Sequence, residues 1–421
     1  MKLNNFSLKV KKGFLWAAFG AFAGRGVQFI SDIILSRLLF PEDFGLIAIG
    51  LAVLNISEML TETGFSSALI QKQGGIKKYL NTAWTMEVLK STFLFFLVFI
   101  LSKPIANFYG NLDLINILRA ISILFLLRGF RNIGIVYFRK KLDIHKQVII
   151  DVVPSIIQLM IIIPFAIYIK NVWVIVIGVF GRRIAELLLS FLMHIHRPVF
   201  EFHKNYFKEL FHFGKWIFST SIIAAIDKNF IPLFIGKYFD VETLGYFNRA
   251  ELFSILLFAV LIQIIWQVGY PAMSHLQSDL QKLKRFYFKL ISIGFSIGLP
   301  ITIFIFYFCN EIIIIILSEK WLESANILKF LIFAGLLSLI GSLPAMLLQA
   351  VGKPRIATKI SLISAIILIV LTFTLHEYLG LFGIVYALII TRIISLIYGL
   401  VQGVKILKYL ENIKNIELKT A

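Results

Sequence analysis

The sequence is poor in charge, in acidic residues and in cysteine. Charged side chains make up 15% of the 421 residues and hydrophobic ones 59%, and the mean hydropathy is +0.87. Because a water-soluble domain carries about 25% charged residues, the composition excludes an ordinary globular protein. Cys309 is the only cysteine. Its isolation excludes an intrachain disulfide and argues against redox chemistry.

The sequence also lacks the motifs of an enzyme. It contains no Gly-rich phosphate loop, no nucleophile elbow and no pair of catalytic carboxylates, and its seven histidines have no metal-ligand spacing. We therefore predict that the protein is not an enzyme, has no catalytic residue, and needs neither a cofactor nor a metal ion.

Apolar segments of about 20 residues, the length that crosses a bilayer, recur along the whole chain. They predict an all-α polytopic membrane protein with twelve transmembrane helices. No small-residue cleavage site follows the first segment, so we expect it to remain as a span. The predicted spans are 14–36, 44–66, 81–101, 114–134, 148–169, 173–193, 214–236, 244–270, 286–308, 324–350, 356–376 and 382–404.

Lysine and arginine are concentrated in alternate loops. If the N-terminus is cytoplasmic, every inner segment holds at least three of these residues, and the outer loops hold few: Arg37, Lys103, Lys170, Lys237 and Lys320. This asymmetry is the positive-inside rule. It predicts that both termini lie in the cytoplasm, and it explains most of the net charge of +19 without a nucleic-acid partner.

The two halves of the sequence resemble each other. A shift of 200 residues places residues 39–45 on residues 239–245, and a shift of 210 places Arg182 on Arg392. Repeats of equal orientation are typical of transporters. They predict two parallel six-helix bundles, residues 1–196 and 214–421. The amphipathic segment 197–213 joins them, and we expect it to form an interfacial helix on anionic lipid.

Cations inside the predicted spans indicate an anionic cargo, since a cation that faces lipid costs roughly 3 kcal/mol. Arg25 and Gln28 share one face of the first helix with Asp32, and Lys228 and Arg249 occupy the other half. Arg25, Lys228 and Arg249 could line one cleft, and an arginine fork suits phosphate. Alternatively, Arg25 pairs with Asp32, and Lys228 with Asp227.

Carboxylates on the first two helices allow two interpretations. Asn55, Glu58 and Glu62 have helical i, i+3, i+7 spacing, and Glu58, Glu62 and Asp32 could titrate and couple ion flow to transport. The glutamates could equally neutralise Arg128 or Arg131, near the inner end of the fourth helix. A simpler pattern, Glu87 and Lys90 at i, i+3 on one helix, predicts a structural ion pair.

Four short segments resemble a known family. Residues 36–46 (SRLLFPEDFGL) and 64–71 (GFSSALIQ) are similar to the start of Wzx-type polysaccharide flippases, in the branch of colanic and teichuronic acid exporters. Residues 137–142 and 349–355 resemble the same family's loops. The resemblance implies the fold of the multidrug/oligosaccharidyl-lipid/polysaccharide (MOP) exporter superfamily, with its two six-helix bundles in a V.

The resemblance also implies a function. Such proteins flip an undecaprenyl-diphosphate-linked oligosaccharide repeat unit to the outer leaflet of the bacterial cytoplasmic membrane, by alternating access. A polysaccharide polymerase and chain-length machinery are the implied protein partners. Within the same fold, the alternative is a multidrug or cation antiporter. An acidic cavity would be expected for cationic drugs, whereas the residues at mid-depth in this chain lean basic.

Overall fold

The computed structural model describes residues 2–59, 61, 64–72 and 74–420. Side chains are described for these residues except 2–14, 17, 213–224, 278 and 412–420. The described residues contain no β-strand. Their α-helices are α1 (Lys2–Leu38), α2 (Pro41–Met59), α3 (Phe65–Gln71), α4 (Lys77–Tyr109), α5 (Asp113–Gly129), α6 (Val136–Lys140), α7 (Ile144–Tyr168), α8 (Trp173–Met193), α9 (Lys204–Tyr238), α10 (Val241–His275), α11 (Leu280–Ile316), α12 (Leu322–Ala350) and α13 (Pro354–Thr420).

Several of these helices are long and apolar enough to cross a membrane. Seven such segments occur in the described part of the chain: Ala18–Leu38, Lys77–Tyr109, Ile144–Tyr168, Val241–His275, Leu280–Ile316, Glu319–Ala350 and Pro354–Glu411. The all-α class and the multi-pass character of the chain are therefore confirmed. The finer arrangement, twelve spans in two bundles of six, stays a prediction.

Two predicted spans are too long at their inner ends. Helix α2 ends at Met59 instead of residue 66, and the chain then turns at Gly64, whose φ of 64° suits glycine. Helix α5 ends at Gly129 instead of residue 134. Beyond it, the Asn132 side chain accepts a hydrogen bond from the backbone N–H of Gly134 and starts a 3₁₀ turn. Side-chain capping of this kind competes with continued helix.

The predicted interfacial helix over residues 197–213 is wrong in its first half. Residues 194–203 are not helical, and α9 begins only at Lys204. The backbone N–H groups of Glu201 and His203 donate to the hydroxyls of Thr85 (3.0 Å) and Thr82 (3.2 Å) on α4. The extended segment thus finds its backbone partners on α4 instead of within its own helix.

Helix α13 contains a sharp break that separates the last two predicted spans. Gly380 has a φ of 57°, in the region that L side chains avoid. The predicted spans 356–376 and 382–404 fall on either side of it. A Cβ on Gly383 would overlap the Leu375 carbonyl, so the chain doubles back tightly at this point.

The described helices pack into two units, Met1–Gly245 and Tyr246–Ala421. Within the first, α1 packs on α7, α4 on α5, α7 on α8, and α2 on α9. Within the second, α12 packs between α11 and α13 and is the most continuously buried helix. The division into residues 1–196 and 214–421, which follows the repeat instead of the packing, stays a prediction.

The first unit contains a reciprocal contact between repeat-matched residues. A Cβ on Gly45 would overlap the carbonyl oxygen of Val241, and a Cβ on Gly245 would overlap that of Pro41. Pro41 and Val241 are also matched by the shift of 200 residues. Gly45 therefore faces the residue that matches Pro41, and Gly245 faces the residue that matches Val241. The first turns of α2 and α10 are therefore in direct backbone contact.

Candidate functional site

Several cations on helices of the first unit are paired with carboxylates. Lys90 contacts Glu87 at 2.5 Å on α4, as the i, i+3 spacing predicts. On α8, the buried Glu186 accepts from Arg182 at 3.1 Å and from Arg183 at 2.9 Å. Desolvated charges are stable only in such arrangements. These side chains are therefore occupied by structural pairs.

A further ion pair joins two helices. Glu58, near the end of α2, contacts Arg128 in the last turn of α5. The two helices pack on each other, which brings together residues 70 positions apart in the sequence. Of the two interpretations of Glu58, the geometry supports neutralisation of Arg128. Its predicted role in ion coupling stays a prediction, and Glu62 lies outside the described residues.

Arg25 differs from these paired cations. Helix α1 packs on α7 through Gly20, where a Cβ would come within 2.7 Å of Val148. On α1, Gln28 donates to the Asp32 carboxylate at 3.2 Å, as expected for one shared face. Arg25 is half-buried and forms no hydrogen bond or ion pair with any residue of the described chain. The alternative pairing of Arg25 with Asp32 is absent.

Lys228 also has no charged partner among the described residues. It is exposed on α9, next to the buried Asn229, whose amide donates to the Ala225 carbonyl at 2.9 Å. Within the described part of the structure, the Lys228 ammonium has no hydrogen bond or ion pair, and the alternative pairing with Asp227 is not formed. Its charge is therefore available to a ligand.

Arg249, in the second unit, has a different environment. It is 7% exposed, and its guanidinium donates to the Asn248 side chain at 2.8 Å. On α12 of the same unit, the Lys329 ammonium lies 5.1 Å from the centre of the Phe306 ring, a cation–π distance. Both cations are thus sheltered, and the predicted contact of Arg249 with cargo stays a prediction.

One ion pair ties the start of α9 to the loop after α3. The Glu209 carboxylate accepts from Lys72 at 2.6 Å and from the Tyr79 hydroxyl at 2.9 Å. These hydrogen bonds, Lys72 first, lower the pKa of Glu209, and the bond to Glu209 raises the pKa of Lys72. No spacing in the sequence indicates this contact, because it joins residues 137 positions apart.

Among the described residues, no group of three or more His, Cys, Asp or Glu side chains could hold a metal ion.

One cavity in the first unit, about 490 Å³ in volume, is lined by Arg131 and Arg139. Sequence reasoning treated Arg131 only as a partner for a glutamate, because the cavity is assembled from distant segments.

The fold and the site together define a class of protein, a multi-pass helical membrane protein in which Arg25, on one candidate span, has no carboxylate partner among the described residues. More particularly, the chain belongs to a family described as polysaccharide biosynthesis protein, whose sequence model matches residues 34–326.

Individual relatives agree with that family. The chain is 22% identical over 391 residues to the lipopolysaccharide biosynthesis protein WzxC of Escherichia coli, covering 92% of this chain and 80% of WzxC. It is 20% identical over 351 residues to the teichuronic acid biosynthesis protein TuaB of Bacillus subtilis, covering 83% and 73% of the two chains. The resemblance to polysaccharide flippases of the MOP superfamily is confirmed.

Solved structures show the same fold. An inward-facing multidrug resistance MATE family transporter of the MOP superfamily aligns with a TM-score of 0.77 and 14% identity, covering 95% of this chain and 99% of that chain. The lipid II flippase MurJ, in an inward closed conformation, aligns with a TM-score of 0.76 and 17% identity, covering 92% and 87%. At these identities, the similarity establishes the fold alone.

Proposed function

We propose that this protein moves an undecaprenyl-diphosphate-linked oligosaccharide repeat unit from the inner to the outer leaflet of a bacterial cytoplasmic membrane. The cationic side chains bind the diphosphate, while the lipid tail stays in the bilayer. Arg25, Gln28, Lys228 and Arg249 are the candidate binding residues. Asp32, Glu58 and Glu62 are the candidates for coupling transport to an ion.

The observation that carries the proposal is the state of Arg25. An intramembrane cation is expensive, and other cations on helices of the first unit, such as Lys90 and Arg128, are each offset by a carboxylate. Arg25 has no such partner among the described side chains. A diphosphate would supply the missing anion, and an arginine fork binds phosphate through two parallel charge-assisted hydrogen bonds.

The names of several relatives support the same cargo. WzxC, TuaB and the succinoglycan biosynthesis transport protein ExoT of Rhizobium meliloti are all named for the synthesis or transport of surface polysaccharides, and MurJ is named a lipid II flippase. We extend this role to the present chain, as a non-enzymatic transporter with cytoplasmic termini. A polysaccharide polymerase and chain-length machinery are its proposed partners.

The alternative, a multidrug or cation antiporter, is supported by the fold of the MATE family transporter. A cationic drug would be repelled by Arg25 and Lys228, whose charges no described carboxylate offsets. The distribution of charge therefore favours an anionic cargo.

The test is replacement of Arg25 by Ala in the native chain, with surface polysaccharide and membrane protein level as readouts. Losing a charge-assisted hydrogen bond costs about 1.5–3 kcal/mol, so export should fall by about tenfold or more. Arg25→Lys should restore export only in part, since an ammonium lacks the planar fork.

Lys103→Ala is the matched control. Lys103 is an exposed cation near the C-terminal end of α4. It also has no hydrogen bond or ion pair among the described residues. Lys103→Ala removes one positive charge, as Arg25→Ala does. Export should remain normal in this variant. Normal export by Arg25→Ala at native expression would contradict the proposal.

A further inference from the structure

The cavity of about 490 Å³ lies near the end of the first unit where α2 and α5 finish. Its volume is typical of ligand pockets. Four separate segments build its wall: the start of α3, the middle of α4, the chain between α5 and α6, and the start of α7. The polar residues that matter here are Ser66, Ser67, Arg131, Arg139, Gln147 and Asp151.

Arg131 is the unusual member of this wall. It is half-buried, yet in the described structure it forms no hydrogen bond or ion pair. The carboxylates whose charges act on it are those of Glu186 and Asp151. Glu186 is already bound by two arginines of α8, and both oxygens of Asp151 accept from Gln147, at 3.0 and 2.9 Å.

The other cations that line the cavity are either bound by a carboxylate or, among the described residues, without an ion pair. Lys90 is bound by Glu87 and Arg128 by Glu58, so neither has a charge to spare. Arg139 is exposed, lines the same cavity, and has no ion pair with a described residue. Arg131 and Arg139 thus place two positive charges in the wall against the one carboxylate charge of Asp151, so that the cavity keeps a net positive charge.

The backbone next to Arg131 is firmly held. Asn132 is fully buried, its N–H donates to the Ser190 hydroxyl at 2.9 Å, and its amide donates to the His196 carbonyl at 2.7 Å. A Cβ on Gly134 would overlap the His194 ring, so this loop has no room to shift. A guanidinium carried by such a loop loses little backbone entropy on binding.

We propose that this cavity is a second anion site, which takes the phosphate or diphosphate headgroup of a lipid. The Arg131 fork binds two phosphate oxygens, Arg139 supplies a second charge, and the exposed hydroxyls of Ser66 and Ser67 donate to the remaining oxygens. This inference rests on the proposed function where the headgroup belongs to the lipid-linked cargo. An anionic phospholipid carries the same chemistry.

The first experiment uses inorganic pyrophosphate as the probe, titrated into the purified full-length protein by calorimetry. Arg131→Ala should weaken binding by about 10- to 100-fold, the equivalent of about 1.5–3 kcal/mol. Arg131→Lys should fold equally well and recover binding in part. Unchanged affinity in Arg131→Ala would overturn the proposal.

Arg285→Ala is the matched control. Arg285 is an exposed arginine that lines a cavity of about 590 Å³ in the second unit, together with Lys284 and Glu411. Its removal changes the net charge equally, and the affinity for pyrophosphate should not change. An equal loss in Arg131→Ala and Arg285→Ala would show general electrostatic attraction and would also overturn the proposal.

The second experiment identifies the source of the headgroup. The protein is placed in phosphatidylcholine nanodiscs that contain either undecaprenyl diphosphate or phosphatidylglycerol, and thermal stabilisation by each lipid is compared between wild type and Arg131→Ala. Loss of stabilisation by only one lipid in the variant identifies that lipid as the ligand, and loss by neither overturns the site. Arg25→Ala separates the two proposals: it should stop export, and adding Arg131→Ala in that background should still weaken the remaining pyrophosphate binding.

Discussion

Gly45 faces the carbonyl of Val241, and Gly245 faces the carbonyl of Pro41. Gly45 and Gly245 are 200 residues apart, and so are Pro41 and Val241. Exchanging the residues that the repeat matches therefore turns one of the two contacts into the other. Glycine is required at both places because any side chain would strike backbone. The two repeat-matched segments are in contact, at ends that the charge distribution predicts to face outward.

This contact predicts the effect of a cross-link. Pro41→Cys combined with Val241→Cys, in a background with Cys309→Ala, should form a disulfide on oxidation. If transport requires this end to open, export should stop in the cross-linked protein and return on reduction. Export by each single-cysteine variant, treated in the same way, is the control. Full transport by quantitatively cross-linked protein would exclude opening at this contact.

The glycine itself can be tested by adding one methyl group. Gly45→Ala should force α2 away from Val241, lower the melting temperature and reduce the yield of the disulfide between positions 41 and 241. Gly341→Ala is the control, since a Cβ at that helical position meets nothing within 4 Å. It should leave the yield unchanged and stabilise the protein by up to about 1 kcal/mol. Equal cross-linking in both variants would contradict the close approach.

The ion pair between Glu58 and Arg128 should contribute to stability. Glu58→Gln leaves a partly buried guanidinium without its carboxylate, and we expect a loss of about 1–3 kcal/mol in the free energy of unfolding. Lys282→Gln breaks an exposed i, i+3 pair with Asp279 and should cost less than about 1 kcal/mol. Thermal unfolding of both variants provides the comparison.

A different result would favour the other interpretation of Glu58. If Glu58→Gln unfolds like the wild type but transports without dependence on a proton gradient, the carboxylate titrates during transport and is not mainly a partner of Arg128.

The ion pair between Lys72 and Glu209 should contribute its full stabilisation only between two pH limits. The pKa of Glu209 is lowered from 4.5, so its stabilising contribution is present above that value and is lost as the pH falls through the folded-state pKa. The pKa of Lys72 is raised from 10.5, so its contribution is lost only at still higher pH. Between these limits, the contact should not respond to pH.

The measurement is the difference in melting temperature between wild type and Glu209→Gln as a function of pH. The difference should be constant from pH 4.5 to pH 10.5 and should shrink outside that range. Lys208→Gln, which changes an exposed neighbour without an ion pair among the described residues, should show no difference at any pH. A change in the Glu209→Gln difference near neutral pH would show that another group titrates with this contact.

Much of the fold was accessible to sequence reasoning because its signals are local. The length and hydropathy of each segment predict helices that cross a bilayer. Spacing on a single helix also predicted the shared face of Gln28 and Asp32 and the contact of Lys90 with Glu87. The clearest error fell at Lys204, where α9 begins late because threonine side chains of α4 bind the backbone just before it.

By itself, then, the sequence determined the membrane class, the helical content and the family, since apolar length and short motifs are properties of adjacent residues. The tertiary structure alone decided which charges remain unpaired. Glu58 neutralises Arg128 only because α2 packs on α5, and Arg131 has no ion pair among the described residues because Glu186 is bound by two arginines of α8. Ion pairing between helices depends on which faces meet, and no spacing along the chain contains that information.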